Sequence, residues 1–232
     1  MKLDARMTMF MTLVATFMVC LVVGDLIGGK LVSFEIFGWK GLISAGQIAF
    51  PVTFILTDIL NEFYGKRVVR RITVLAFFMV GLTLCIIKLA DLLPIWEGTT
   101  ASDWKGFNQE SWHRVFTQAM QIQIASMFAF ITSNFVDISA FFIIKKLTGN
   151  RFLWLRSTGS TAISQIIDTL VINAILWVWN ANFTISQYIS ICISSYGIKL
   201  VAAVAITPLL YALHALIEKR FGIAPAEGEA EE

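Results

Sequence analysis

Charged side chains are scarce in this sequence. Only 15% of the 232 residues are Asp, Glu, Lys or Arg, whereas 57% are hydrophobic. A soluble domain normally carries about 25% charged residues. The composition therefore excludes an ordinary soluble protein and indicates an integral membrane protein of one domain. The net charge of +2 is too small to suggest nucleic-acid binding, and no nucleic-acid partner is expected.

Cysteine and the motifs of common enzymes are also scarce or missing. Cys20, Cys85 and Cys192 lie in separate apolar runs, which excludes a disulfide framework and a metal site of the usual spacing. The sequence contains no HExxH, Gly-x-Ser-x-Gly or phosphate-binding Gly-rich motif. It also lacks the Tyr-Asp and Gly-x-Gly-Asp strings of intramembrane aspartyl proteases. We therefore expect neither an enzyme nor a cofactor.

Long apolar runs, by contrast, are abundant. A bilayer core about 30 Å thick requires about 20 mostly apolar residues per helix, and backbone polar groups in lipid must be paired within the helix. The sequence thus predicts an all-α membrane domain over residues 1–222, followed by an acidic disordered tail over 223–232. The six predicted spans cover about 7–27, 42–62, 72–95, 118–145, 161–179 and 186–217.

The distribution of Lys and Arg predicts the orientation. If both termini are cytoplasmic, twelve of the eighteen basic residues fall on the cytoplasmic side and four on the other, with Lys88 and Lys199 inside spans. Such a bias follows the positive-inside rule. The cytoplasmic set is Lys2, Arg6, Lys66, Arg67, Arg70, Arg71, Lys145, Lys146, Arg151, Arg156, Lys219 and Arg220.

The largest external loop, residues 94–114, is rich in tryptophan. It contains Trp96, Trp104 and Trp112. Indole rings favour the membrane–water interface, so these residues are expected to form part of an interfacial belt, with a lid over the outer side as the alternative.

Polar side chains inside the spans repeat at helical spacing, about 100° per residue. Asp58 and Glu62 are i,i+4 neighbours on the second span. Asp137 and Asp168 each lie about 12 Å from the cationic end of their helix and are predicted to meet at one level. Lys199 is the one cation of the sixth-span stripe. Because a charge at the bilayer centre costs about 2.5–3.5 kcal/mol, these stripes predict a polar internal chamber.

Structural alternatives stay open for the same residues. Glu62 could pair with Lys66 at a helix end, and Asp58 could pair with Lys199 between helices. Polar side chains at helix contacts often only hold helices together. Asp25, near the outer end of the first span, has no clear assignment.

Two stretches resemble the motifs of a known family. "TDILNEFYGKR" (57–67) resembles the T-D-x-x-x-E-x-Y-G-K signature on the second helix of the VUT family of queuosine-precursor transporters. "LWLRSTGSTAISQIIDTLV" (153–171) resembles its second block, a Trp-Leu-Arg loop leading into S-T-x-x-S-Q-x-x-D-T. The resemblance covers the chain from about residue 42 to the sixth helix.

The resemblance implies six transmembrane helices, distantly similar to the substrate-binding subunits of energy-coupling-factor transporters. It also implies import of 7-cyano- and/or 7-aminomethyl-7-deazaguanine across the bacterial inner membrane, for queuosine modification of tRNA. A guanine-like ring presents two adjacent N–H donors, which one carboxylate can accept, and its flat faces require aromatic partners. The residues expected to bind substrate are Asp168, Gln165, Asp137, Asn134, Lys199, Phe54, Phe130 and Trp177.

A second group lies nearer the cytoplasmic mouth. Its carboxylates are expected either to close a gate by pairing with Lys66 or Arg67, or to relay protons. This group comprises Asp58, Glu62, Asn61 and Tyr64.

Two transport architectures fit this sequence. The first is a self-sufficient carrier; the alternative is a substrate-binding subunit of an energy-coupling-factor type importer of a vitamin or nucleobase. Coupling subunits dock a partner through an Ala-x-x-x-Ala pair on the first helix, and residues 7–27 contain no such pair, which favours the first. The expected partners are a small-molecule deazaguanine and the lipid bilayer, with a homodimer as one option.

Overall fold

The computed structural model describes residues 5–36, 39–100, 105–149, 151–179 and 184–222. Trp104 and the acidic tail over 223–232 lie outside the described residues. The elements, in chain order, are α1 (Ala5–Ile27), β1 (Leu31–Ile36), β2 (Trp39–Ser44), α2 (Phe50–Asp91), α3 (Gln109–Trp112), α4 (Gln118–Thr148), α5 (Leu153–Trp179), α6 (Ile185–Ala205) and α7 (Thr207–Phe221).

Five helical segments in the described part of the chain are long and apolar enough to cross a bilayer. They are Arg6–Ile27, Ala45–Asp91, Gln109–Thr148, Leu153–Trp179 and Ile185–Ala205. Asn61, Thr73 and Gln123 are fully buried, whereas large apolar side chains such as Val19 and Leu89 are more than 60% exposed. This arrangement is the reverse of a soluble protein, and the predicted class of a helical membrane protein is confirmed.

Helix α2 contains a backbone break at Gly65, where φ is 80° and ψ is 169°. Side chains disfavour positive φ because Cβ clashes with the backbone, and glycine lacks Cβ. The sequence prediction placed a cytoplasmic loop at 63–71 between two separate spans. The structure instead continues as helix on both sides of this single residue, because KRVVRR contains no helix breaker of its own.

The two halves of α2 run in opposite directions along α4. Before Gly65, Asp58 lies near Asp137 and Glu62 contacts Lys145, so the residue numbers of α2 and α4 increase in the same direction. After Gly65 the order is reversed, because Thr73 contacts Asn134 and Gly81 lies near Met127. Gly65 therefore acts as the turn of a helical hairpin. Leu56 and Leu60 from the first half and Val69, Ile72 and Ala76 from the second share one apolar cluster with Ile138 of α4.

A two-stranded antiparallel hairpin connects α1 to α2, with Leu31 opposite Ser44 and Ile36 opposite Trp39. The sequence prediction did not include it: it began the second span at residue 42, whereas a five-residue 3-10 turn follows β2 and the α-helix begins at Phe50. The Ser44 hydroxyl donates to the Gly28 carbonyl oxygen at 2.7 Å and accepts from the Gly46 amide. These contacts tie the hairpin to the C-terminal end of α1.

The predicted sixth span, 186–217, is divided at Ile206 into α6 and α7. Pro208 follows this residue, and a proline lacks the N–H that a continuous helix would use. Helix α7 then places Leu210 and Ile217 against Ile55, Ile59 and Phe63 of the first half of α2. The last helix thus packs against the part of α2 that precedes Gly65.

In the external loop, the indole nitrogen of Trp112 donates to Asp91 Oδ1 at 3.1 Å, and Asp91 also accepts from Lys88 at 3.0 Å. Trp96 is 68% exposed. These positions are compatible with the predicted interfacial belt, which stays a prediction.

Candidate functional site

A cavity of about 610 Å³ lies among α1, the β-hairpin, the first half of α2, α4, α5 and α6. Its wall combines carboxylates, hydroxyls and amides with aromatic rings. All eight residues predicted to bind substrate line it, as does Asp58 from the predicted gate: Phe54, Asp58, Phe130, Asn134, Asp137, Gln165, Asp168, Trp177 and Lys199.

Helices α4 and α5 are joined across the cavity wall by a reciprocal pair of hydrogen bonds. The Ser133 hydroxyl of α4 donates to Asp168 Oδ1 of α5 at 3.3 Å, and the Ser164 hydroxyl of α5 donates to Asp137 Oδ1 of α4 at 3.1 Å. On each helix the serine precedes the aspartate by four residues, about 6 Å along the axis. The two aspartates therefore lie at successive levels. The prediction that they meet at one level is wrong.

A sequence signal for this pairing exists, although the sequence analysis did not use it. Ser133-Asn134-x-x-Asp137 and Ser164-Gln165-x-x-Asp168 share one pattern of serine, amide and aspartate. On two antiparallel helices, equal i,i+4 spacing lets each serine reach the opposite aspartate.

Lys199 of α6 is the one cation among the described residues that line the cavity. Its ammonium lies 2.5 Å from Asp168 Oδ2 and 4.6 Å from the centre of the Phe50 ring. The alternative pairing of Lys199 with Asp58 is therefore not the one that forms. Phe50, which the sequence analysis did not single out, stabilises the ammonium through a cation–π contact.

Close to Asp58 on the cavity wall lies a buried ionic network centred on Glu62. Its carboxylate oxygens contact Arg156 at 2.7 Å and Lys145 at 3.4 Å, and the His214 ring lies 3.8 Å away. The predicted partner Lys66 does not contact it. The break at Gly65 removes Lys66 from the i+4 position, and charges from the adjoining ends of α4 and α5 take its place.

The other three predicted gate residues differ in position. Asp58 accepts a short hydrogen bond from the Ser157 hydroxyl and is 2% exposed. Asn61 is fully buried outside the cavity wall, and the described part of the chain offers its amide no hydrogen-bond partner. Tyr64 also lies outside the wall, with its ring 4.8 Å from that of Phe10. Only Asp58 of this group reaches the cavity.

Aromatic rings are present at several depths of the cavity. Phe54 stacks on Phe50 at a centroid distance of 6.0 Å, and Trp177 lies 5.6 Å from Tyr188 near the outer end. Phe130 lies at the level between Ser126 and Ser133 on α4. A flat ligand therefore has apolar faces to lie against while its edges meet polar groups.

Asp25 is a further carboxylate in the cavity, contributed by α1. It interacts with the Ser126 hydroxyl of α4 and lies near Asp168. The sequence signal was its helical register with Leu21 and Gly28, which also line the cavity. Within the described residues, no group of three His, Cys, Asp or Glu side chains could hold a metal ion.

The family model described as "Putative vitamin uptake transporter" matches residues 44–213, which is most of the chain. The chain belongs to this VUT family. The resemblance given by its two motifs is thereby confirmed. The match includes α2 and α4 to α6, with part of α7, so it contains every residue predicted to bind substrate. It leaves α1 and its Asp25 outside.

Two curated relatives support the assignment to the VUT family. The chain is 30% identical over 184 residues to the "Probable queuosine precursor transporter" of Bacillus subtilis (strain 168), covering 79% of this chain and 76% of the relative. It is 26% identical over 177 residues to the "Queuosine precursor transporter" of Escherichia coli (strain K12), covering 75% and 74%. No solved structure matches this VUT protein significantly.

Proposed function

We propose that this VUT protein imports queuosine precursors, namely 7-cyano- and/or 7-aminomethyl-7-deazaguanine, across the bacterial inner membrane. The observation that carries the proposal is the Lys199–Asp168 ion pair on the wall of a large cavity inside an apolar helix bundle. The names of the two relatives support the same substrate class.

The ion pair complements the edge of a guanine-like ring. That edge presents a carbonyl oxygen, an N1–H and an exocyclic amine in a row. The Lys199 ammonium has three donors and can donate to the carbonyl, while Asp168 can accept from the two N–H groups. Ser133 and Lys199 each use one lone pair of the Asp168 oxygens, and each oxygen has a second. A base without this edge would leave the pair unsatisfied and would be rejected.

Neighbouring side chains complete the proposed site. Asn134 and Gln165 follow the two serines of the reciprocal pair and carry amides that can donate or accept. The Asn134 amide nitrogen also donates to Thr73 at 2.7 Å, which fixes its orientation. Phe54, Phe130 and Trp177 supply the surfaces for ring stacking.

We assign six spans, with both termini cytoplasmic. The hairpin at Gly65 supports the count, since it divides the 47-residue segment Ala45–Asp91 into two antiparallel halves. With this orientation the Glu62 network lies at the cytoplasmic end of the cavity. It joins the first half of α2 to the facing ends of α4, α5 and α7, and we assign it as the closed inner gate.

The test is expression of this chain alone in a bacterial strain that lacks its own precursor transporter and precursor synthesis, followed by measurement of queuosine in tRNA. We expect restoration by the wild type and none by Asp168→Asn, with Glu110→Gln in the outer loop as an unaffected control. Absence of restoration by an inserted, folded wild-type chain would contradict a self-sufficient carrier. Restoration only with an added energising complex would support the alternative of a substrate-binding subunit.

A further inference from the structure

The cavity and its inner network contain more carboxylates than cations. Five carboxylates are present, Asp25, Asp58, Glu62, Asp137 and Asp168, against three cations, Lys145, Arg156 and Lys199. Lys199 balances the charge of Asp168, which it contacts. Lys145 and Arg156 balance the charges of Glu62, which they contact, and of the nearby Asp58. Asp137 and Asp25 remain as the excess negative charge.

Of these two carboxylates, Asp137 is the one with the Asp58 carboxylate nearby. It is 7% exposed, lines the cavity and lies near the Asp58 carboxylate, which is 2% exposed and lines the same cavity. Its interactions within the described chain are with the Ser164 and Ser160 hydroxyls and with Asp58. Hydroxyl groups satisfy lone pairs but do not neutralise charge, and two neighbouring carboxylates in a poorly solvated site repel each other. The pair therefore requires a positive charge, supplied either by a proton that the two carboxylates share or by a cationic group of a ligand.

We propose that the Asp58–Asp137 pair binds a protonated amine of the transported ligand. This inference rests on the proposed function and deepens it, because it selects a flat heterocycle with a cationic side arm over a neutral analogue. The ammonium supplies the one positive charge that Asp137 lacks, since the two cations of the Glu62 network already balance Glu62 and Asp58. A neutral nitrile lacks this attraction.

The positions along the helices fit a ligand that uses both sites. Asp168 lies at the level of Ser133, and Asp137 at the level of Ser164, about one helical turn or 6 Å further in. The 7-aminomethyl arm is attached beside the ring carbonyl, on the edge next to N1–H. A ring held by Asp168 can therefore extend this arm one turn further along α4, toward Asp137 and Asp58. A metal ion is the less suitable occupant, since no group of three metal-ligating side chains exists among the described residues.

The experiment compares two ligands that share one ring and differ in charge. Purified protein in lipid nanodiscs is titrated with 7-aminomethyl-7-deazaguanine, which carries an ammonium, and with 7-cyano-7-deazaguanine, which is neutral. We expect the wild type to bind the amine at least about tenfold more tightly, as is typical of a desolvated charge pair. The Asp137→Asn variant should bind the amine at least about tenfold more weakly than the wild type does, while its affinity for the nitrile should change less than about threefold.

Glu110→Gln, an exposed acid outside the cavity, is the matched control and should leave both affinities unchanged. Thermal unfolding verifies that each variant is folded, and Asp58→Asn replaces Asp137→Asn if the latter does not fold. The inference would be overturned if the wild type bound the nitrile as tightly as the amine, or more tightly. It would also be overturned if the variant lost affinity for both ligands by the same factor. Binding of neither ligand by folded wild-type protein would instead overturn the proposed substrate class.

Discussion

Ser164 of α5 donates a hydrogen bond to Asp137 of α4 at 3.1 Å, and this bond is matched one turn away by the bond from Ser133 to Asp168. The two bonds connect the most extensively packed pair of helices in the described structure. They also orient two of the carboxylates that line the cavity. The same residues therefore join helices and shape the candidate site, and substitution can separate these roles.

Replacing Ser164 with Ala should have a small effect on stability and a larger effect on ligand binding. Loss of one interhelical hydrogen bond in a membrane protein costs about 0.6 kcal/mol on average. The Asp137 carboxylate, however, loses the donor that orients it. Thermal unfolding and ligand titration of the same preparation measure the two effects. Ser139→Ala is the control, because its hydroxyl donates to the Phe135 carbonyl oxygen of its own helix and to no other helix in the described part of the chain. Equal binding by Ser164→Ala and the control would contradict the orienting role.

Replacing Lys199 with Met should destabilise the protein by about 3–5 kcal/mol, because it leaves Asp168 without its cation. The double variant Lys199→Met with Asp168→Asn should recover much of that loss, since no unpaired charge remains. We expect neither variant to transport. Thermal unfolding and queuosine content of tRNA are the readouts, and transport by the double variant would show that the pair serves stability alone.

Replacing Glu62 with Gln should loosen the inner network, because Arg156 and Lys145 lose their shared anion. We expect Thr161→Cys, which places a thiol on the cavity wall, to react faster with a membrane-impermeant reagent from the cytoplasmic side in this variant. The background carries Ala in place of Cys20, Cys85 and Cys192. An unchanged labelling rate would show that Glu62 does not help to close the cavity on the cytoplasmic side.

Replacing Gly65 with Ala should destabilise the protein by about 1 kcal/mol or more, because φ at this position is 80°. Gly197 is the matched control. It lies inside α6, where an added Cβ would come within 4 Å of no described residue outside its own turn of helix. Ala there should therefore be neutral or stabilising by about 0.5–1 kcal/mol. Thermal unfolding compares the stabilities of the two variants. Equal stability would contradict a backbone at Gly65 that only glycine adopts easily.

The helical membrane class was predictable because long apolar runs have few other structures available in lipid. The turn at Gly65 was harder to predict. A Tyr-Gly pair followed by basic residues is also typical of an ordinary loop, and only tertiary contacts show that helix continues on both sides. The hairpin of β1 and β2 was not predicted, because the end of β2 continues into an apolar run that also fits the start of a helix.

Within the site, the polar stripes predicted which faces turn inward, but not which charges pair. The sequence suggested Asp58 as the partner of Lys199, whereas the pair with Asp168 depends on how α6 packs against α5. Arg156 and Lys145 could not be assigned to Glu62, because each lies more than 80 residues away along the chain. Asp25 illustrates the same limit, since its position in the cavity depends on the tilt of α1.

The most direct test of the central claim is uptake of radiolabelled 7-aminomethyl-7-deazaguanine into liposomes that contain only this purified protein. The account predicts saturable uptake by the wild type, inhibited by excess unlabelled 7-cyano-7-deazaguanine. It predicts no uptake above empty liposomes for Lys199→Met with Asp168→Asn. Uptake by that folded double variant at the wild-type rate would contradict the claim that this ion pair binds the transported ring.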